Sequence, residues 1–363
     1  MSKILGIIVG VIIALAVFGV VFIAFMTMPA DANSKDAIPV GGMIKSDDHD
    51  YQQNQDEKLA KNPIIKIMQL SWKFTCASDQ KRHAKQTPPD NVCEITDIAY
   101  IDDGNKYHLL DVYYPQGTTD KLPVIIDVHG GGWMYGDKEL NKYYNLDLAS
   151  RGYVVFNINY RLVPDVTVDA QLQDVAHALK WISENMGDYP CDMSNIMLTG
   201  DSAGGMLAGY SAVLLESAEL REIFGVVDGG LDLTALWLTS PVPYMNNSGF
   251  MAMYTKLLWG SDFMDKATYP YMNFDQIVDF AQLPPTYLLT SSGDTLARAQ
   301  TRQVAQLLEE KGVEYQLADY EKMDGKAQPH VFSVLDPFSN PGKTANSAAL
   351  DFYQQAIENK VTN

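Results

Sequence analysis

Short apolar runs alternate with longer stretches of mixed polarity over most of this chain. Val124–Val128, Val154–Ile158, Ile196–Leu198, Leu233–Leu238, Thr286–Leu289 and Glu314–Asp319 have the length and composition of buried strands. Between most of them the period lengthens, predicting helices near Leu140–Ser150, Val168–Asn185, Met206–Glu216 and Ala297–Lys311. Such alternation predicts a mostly parallel sheet covered by helices on both faces, with functional groups gathered at the carboxyl ends of strands. Ahead of it, Glu94–Ile101 and Tyr107–Tyr114 read as an antiparallel pair turned at Asp103-Gly104-Asn105. A final helix near Ala345–Asn359 is expected to close the sheet edge.

Two regions break the alternation. Pro241–Leu283 is rich in large soft side chains: Tyr244, Met245, Phe250, Met251, Met253, Tyr254, Trp259, Phe263 and Met264. It is expected to form part of a lid lining a pocket, with plain packing of inserted helices as the alternative. At the other end, Ile4–Met26 is apolar throughout and carries no charge. As a helix it would span about 35 Å, enough to cross a bilayer with some tilt. The apolar core of a cleaved signal peptide is shorter, about 7–15 residues. The run is therefore expected to be a retained transmembrane helix, although Ala30-Asp31-Ala32 resembles a cleavage site and leaves secretion as the alternative. Lys3 precedes the run and Asp31, Lys35 and Asp36 follow it, so the bulk of the chain is expected on the outer side of the cell membrane.

Residues 29–62 are polar and aperiodic, and read as a tether. Pro63–Phe74 is dense in apolar groups and is expected to cap the protein body, with an interfacial helix on lipid as the alternative. The predicted organisation is an anchor over residues 1–28, a tether and N-terminal cap over 29–93, and a main domain over 94–363 with a lid insertion near 241–283.

With 363 residues, 47% of them hydrophobic, the chain is long enough for one large domain with a substantial core. Its net charge of −18 argues against nucleic acid or an anionic membrane surface as a charge-driven partner. Three cysteines are present; Cys76 and Cys93 could pair in an oxidising compartment, leaving Cys191 over. No cluster has metal-ligand spacing and no phosphate-binding P-loop occurs.

Candidate chemistry enters at Gly200-Asp201-Ser202-Ala203-Gly204, a Gly-x-Ser-x-Gly motif between the strand-like Asn195–Thr199 and the helical Gly205–Glu216. A serine on such a turn is held on a tight bend with its hydroxyl exposed, and the glycines admit close neighbours. His129-Gly130-Gly131-Gly132-Trp133 follows another strand and offers bare backbone N–H groups. The amides of Gly131, Gly132 and Ala203 are expected to converge as an oxyanion hole for acyl transfer.

A serine needs a base, and the base an orienting carboxylate. On such a scaffold they follow in the order serine, acid, histidine. Of six histidines only His330 lies beyond Ser202, which assigns the base by elimination. Asp294, in the loop after Pro285–Thr290, is the expected acid, with Asp319, Asp324 and Asp336 as rivals. His129 is expected to shape the glycine loop, and His177 to sit on the surface of its helix. No metal or organic cofactor is required by this chemistry.

The chain resembles the hormone-sensitive-lipase-like branch of the α/β-hydrolase superfamily from about Ile95 onward. The likeness rests on the two glycine motifs, Tyr160-Arg161-Leu162-Val163-Pro164, Gln171-Leu172-Gln173-Asp174-Val175, the Asp294 loop and His330-Val331-Phe332. It implies a serine esterase acting on short- or medium-chain carboxylic esters, with Ser202, Asp294 and His330 matching nucleophile, acid and base, and Gly131 and Gly132 the oxyanion glycines. One departure is Asp294-Thr295-Leu296 where Asp-Pro-Leu is usual. An amidase, formamidase or peptidase with the same triad is the alternative among enzymes. A surface binding module is the alternative outside them.

Overall fold

The computed structural model describes residues 63–245 and 249–362, so the expected anchor and tether lie outside the described residues. Among the described residues no helix is long and apolar enough to cross a membrane. The architecture is the α/β-hydrolase fold: one eight-stranded sheet flanked by helices. Its strands are β1 (Val92–Ala99), β2 (Leu109–Pro115), β3 (Leu122–Val128), β4 (Val154–Ile158), β5 (Cys191–Asp201), β6 (Ala235–Thr239), β7 (Thr286–Ser291) and β8 (Tyr315–Tyr320). In space they run β1-β2-β4-β3-β5-β6-β7-β8. β2 pairs antiparallel with β1 and β4, and every later pairing is parallel.

Period-two alternation sends the strand side chains to two cores. Val124, Ile126 and Val128 of β3, Phe156 of β4 and Leu236 and Leu238 of β6 join the larger cluster. Ile125, Val155 and Trp237, each one residue out of step, join the opposite one. The larger face is covered by α3 (Val168–Asn185), α4 (Ser202–Glu216), the short α5 (Ala218–Phe224) and α7 (Arg298–Glu310). The other is covered by α2 (Lys138–Ser150) and the C-terminal α9 (Asn340–Thr362). The central strands β3, β4, β6 and β7 bury both faces, which is why they read as continuous apolar runs.

β3 is the turning point of the sheet: the chain continues to β4 on one side and to β5 on the other. Crevices form beyond the carboxyl ends of strands at such points. Val128 pairs with Gly200 there, so the glycine loop and the serine turn leave the sheet side by side.

Several expectations need correction. Tyr107 and His108 belong to a 3-10 turn over Lys106–His108, capped by the Asn105 side chain, and not to β2. β5 extends well beyond Ile196–Leu198 in both directions. His177 is half-buried on α3, less exposed than expected. No disulfide joins Cys76 to Cys93. Cys76 is buried beside Tyr135 and Leu140, while Cys93 stands on β1 opposite Tyr114.

The helix expected over Pro63–Phe74 is longer: α1 runs Pro63–His83 and packs Met68 and Trp72 against the body. Met68 and Trp72 meet protein, as expected of a cap, whereas Ile67 is exposed. The insertion over 241–283 contains α6 (Gly249–Trp259) and four 3-10 turns. Among the described side chains of this region, Met245, Trp259 and Phe263 are buried in the main core and Met264 is exposed, as plain packing would have it, while Val242 and Tyr254 line a pocket. The side chains of Phe250, Met251 and Met253 lie outside the described residues.

Candidate active site

Ser202 stands between β5 and α4 with φ of +52°, a left-handed conformation that a non-glycine residue adopts only where its surroundings enforce it. The surroundings are the glycines of the motif. A methyl group on Gly204 would lie 2.0 Å from the carbonyl oxygen of Val128, and one on Gly200 would lie 2.4 Å from that of Gly204. Only hydrogen at these Cα positions lets the turn press against β3.

The expected partners meet at this turn. His330 Nε2 lies 2.9 Å from Ser202 Oγ, and His330 Nδ1 lies 3.0 Å from Asp294 Oδ2. The other carboxylate oxygen of Asp294 accepts the N–H groups of Leu296 at 3.0 Å and Ala297 at 2.9 Å. Its side chain is fully buried. Burial alone would raise its pKa. The hydrogen bond and charge of His330, with the Ala297 N–H and the Ser240 hydroxyl, outweigh burial and hold it at about 2. Asp294 is thus ionised at neutral pH and fixes Nδ1 of His330 as the protonated nitrogen, leaving Nε2 to face the serine hydroxyl. Of its rivals, Asp319 is paired with Arg298 and Arg302. The structure brings neither Asp324 nor Asp336 into hydrogen bonding with His330.

The glycine loop is held from several sides. Gly130 N–H donates to Asp201 Oδ1 at 2.9 Å, and the Tyr160 hydroxyl donates to the carbonyl of His129 at 2.7 Å. Tyr254 of α6 donates to the carbonyl of Gly132 at 2.7 Å. Val163 N–H and the Gln171 amide both donate to the carbonyl of Trp133, at 2.9 Å each. Gly131 and Gly132 have φ of +114° and +59°, conformations that favour glycine. Asp201 is the N-cap of α4 but makes no side-chain capping bond, so its carboxylate leaves the first-turn amides of that helix uncapped.

His129 does what its position suggested. Its Nδ1 donates to the carbonyl of Gly130 at 2.7 Å and its ring stacks on Tyr160. Burial drives its pKa down to about 4, so it is neutral under ordinary conditions.

Sequence reasoning missed Asp201 and the network behind it. The side-chain amide of Asn141 donates to both Asp201 Oδ1 and Asp127 Oδ2, and that of Asn145 also donates to Asp127. Both carboxyls are displaced upward: Asp127 to about 7, by burial first and then by the charge of Asp201, partly offset by Asn145 and Asn141; Asp201 by burial, partly offset by the Asn141 amide, the charge of His330 and the Gly130 N–H. The signal was available: Asp201 sits inside the serine motif.

A cavity of about 620 Å³ opens beside the serine. Ser202, His330, Gly131 and Gly132 form its floor, and Trp133, Tyr135, Leu140, Val242 and Tyr254 line its sides. The opposite wall belongs to α1, through Trp72, Phe74, Thr75, Ser78, Asp79 and Arg82. Among the described residues, no group of three or more His, Cys, Asp or Glu side chains could hold a metal ion.

An eight-stranded sheet that turns at β3, with a serine on the bend after β5, defines an α/β-hydrolase. Comparison with known proteins narrows this. The BD-FAE family model matches residues 110–234. Carboxylesterase NlhH of Mycobacterium tuberculosis is 28% identical over 281 residues, covering 71% of this chain and 86% of the relative. Esterase B of Lactobacillus rhamnosis superposes with a TM-score of 0.76 at 31% identity, over 82% of this chain and 98% of that one. An esterase from the bacterial hormone-sensitive lipase family shares the fold, with a TM-score of 0.60 at 22% identity over 77% of this chain and 90% of that one. The chain belongs to the esterases of the α/β-hydrolase superfamily, and it is a carboxylic-ester hydrolase.

Proposed function

We propose that Ser202, His330 and Asp294 hydrolyse short- or medium-chain carboxylic esters through an acyl-enzyme formed on Ser202. The observation that carries this reading is the chain of contacts from Ser202 Oγ to His330 Nε2 at 2.9 Å and from His330 Nδ1 to Asp294 Oδ2 at 3.0 Å. His330 takes the hydroxyl proton as Oγ attacks the ester carbonyl, and Asp294 stabilises the imidazolium that results. Negative charge gathers on the carbonyl oxygen, where the amides of Gly131, Gly132 and Ala203 receive it. His330 then protonates the departing alcohol. A water molecule activated by the same ring attacks the acyl-enzyme, releases the acid and restores Ser202.

The apolar cavity of about 620 Å³ supports an acyl or alcohol group of limited size. A structure of the related esterase B is described as inhibited by a tributyrin phosphonate, which agrees with short acyl groups. Ser202→Ala should abolish turnover of p-nitrophenyl butyrate and labelling by a fluorophosphonate probe, with the circular dichroism unchanged. Undiminished turnover would overturn the assignment. Matched ester and amide substrates test the chemical preference, with kcat/KM expected to favour the ester.

We also propose that residues 1–28 anchor the enzyme in a membrane with its catalytic domain outside the cell. The support is the uncharged run Ile4–Met26 and the charges that flank it. The full chain should resist carbonate extraction from membranes and lose this on deletion of residues 1–28. Recovery of a shortened mature chain from the medium would point instead to secretion after cleavage.

A further inference from the structure

The wall of the cavity that carries no proposed reacting group is attached directly to the loop that carries the oxyanion donors. Trp72 of α1 stacks on Tyr135, with ring centroids 5.3 Å apart and planes 8° from parallel. The same indole covers Gly132, where an added methyl group would stand 2.5 Å from its Cζ2. About two turns further along α1, the buried Asp79 accepts the Tyr135 hydroxyl through Oδ2 at 2.8 Å. Its other oxygen is 3.1 Å from the Arg82 guanidinium.

Tyr135 is in turn locked to the oxyanion loop. Its N–H donates to the carbonyl of Gly131 at 3.0 Å, and a methyl group on Gly131 would lie 2.0 Å from the Tyr135 carbonyl oxygen. The loop therefore doubles back on itself at van der Waals distance, and a shift of Tyr135 must turn the peptide that Gly131 presents to the site. Beyond α1, Gln86 donates to the carbonyl of Leu335 at 2.8 Å, reaching the segment that follows His330.

We propose that Asp79 and Trp72 are positioning residues for the oxyanion loop, acting through Tyr135, so that efficient turnover requires α1 docked on the body. The proposal rests on the reading of Gly131 and Gly132 as oxyanion donors given above. Oxyanion stabilisation depends on donors fixed before charge develops, and loss of one such donor costs about 10²–10³ in kcat. A donor that is only loosened costs less.

The test uses the full chain, p-nitrophenyl butyrate for kcat and KM, and an alkyl trifluoromethyl ketone, whose adduct with Ser202 places a charged oxygen at the oxyanion position. Asp79→Ala should lower kcat by about 10–100-fold, short of full donor loss, with KM within about threefold. The ketone should weaken by the same factor as kcat/KM. Asp79→Asn, which keeps an oxygen to accept the Tyr135 hydroxyl, should recover at least about fivefold of that loss. Tyr135→Phe keeps the ring and removes only the hydroxyl, so it decides the matter if Asp79→Ala does not fold. It should lower kcat in the same way, and the double variant should be no worse than Asp79→Ala alone, because both remove one interaction.

The proposal is overturned if Asp79→Ala and Tyr135→Phe each leave kcat within twofold, or if their effects simply multiply. Ser202→Ala in the same assay separates the two levels: residual activity there sinks the proposed chemistry. An inert Ser202→Ala beside undamaged Asp79 and Tyr135 variants sinks only the positioning role.

Discussion

The floor and the cap wall of the cavity are held together in different ways. On the floor, the segments bearing Gly130, Ser202 and Asp294 leave the ends of β3, β5 and β7, strands hydrogen-bonded to neighbours on both sides. Backbone there touches backbone, as where Gly204 presses on the carbonyl of Val128. The cap wall is fastened side chain by side chain: the Trp72 stack, the Asp79–Tyr135 bond, the Tyr254 hydroxyl on Gly132 and the Lys266–Asp169 ion pair. Backbone ladders fix positions cooperatively. Single side-chain contacts are worth about 1 kcal/mol each and can be exchanged one at a time. In the proposed mechanism the floor therefore sets the reaction, and the proposed role of the cap is to tune how well the site is organised.

The largest effect expected is on the floor. His330→Ala should lower kcat by about 10⁴–10⁶ and leave KM for p-nitrophenyl butyrate within a fewfold, since the ring acts on the transition state. A loss of less than a hundredfold would mean that another group removes the Ser202 proton. Next comes Gly131→Ala, which puts a methyl group against the Tyr135 carbonyl in a conformation with φ of +114°. The loop must move, and kcat should fall by about 10²–10³. Retention of activity would show that the Gly131 amide takes no part.

Asp294 sharpens the contrast through pH. Its folded pKa of about 2 lies below the ordinary value of 3.8, so its ionised form stabilises the fold above about pH 4. That stabilisation disappears as pH falls through about 2. The shift corresponds to about 2 kcal/mol. Denaturant unfolding should show the wild type ahead of Asp294→Asn at pH 5 by a margin that shrinks by roughly that amount towards pH 2. A margin constant with pH would mean that burial cancels the partner contacts.

What could be read from the chain follows the same division. The central strands were visible because both faces are buried, giving apolar runs with clear ends. The serine, histidine and acid were visible because each sits just beyond such a run or has few rivals of its type. Nothing similar marks Asp79: it lies near the end of α1 among polar residues, and its partner Tyr135 is far away in the chain. The aromatic content of 241–283 was misleading for a related reason. Composition says that Trp259 and Phe263 are apolar, but whether they face core or cavity depends on how α6 and the 3-10 turns are folded against α3 and α4. Asp201 was legible as part of a motif, yet its bond to Gly130 depends on the neighbouring placement of β3 and β5.

The smallest effect tests whether the insertion behaves like α1 or merely covers the core. Lys266 meets Asp169, in the first turn of α3, at 2.7 Å, with both side chains only partly shielded. Such a pair contributes less than about 1 kcal/mol, even with the helix N-terminus favouring the carboxylate. Lys266→Ala should therefore lower the melting temperature by no more than about 3 °C in a domain of this size and leave kcat within twofold. The burial of Trp259 and Phe263 in the main core is what argues for this indifference, because that packing holds the insertion without the ion pair. A tenfold fall in kcat at unchanged melting temperature would have the opposite meaning. It would make the Tyr254 bond to Gly132 sensitive to small movements of the insertion, and both parts of the cap would then be coupled to the oxyanion loop.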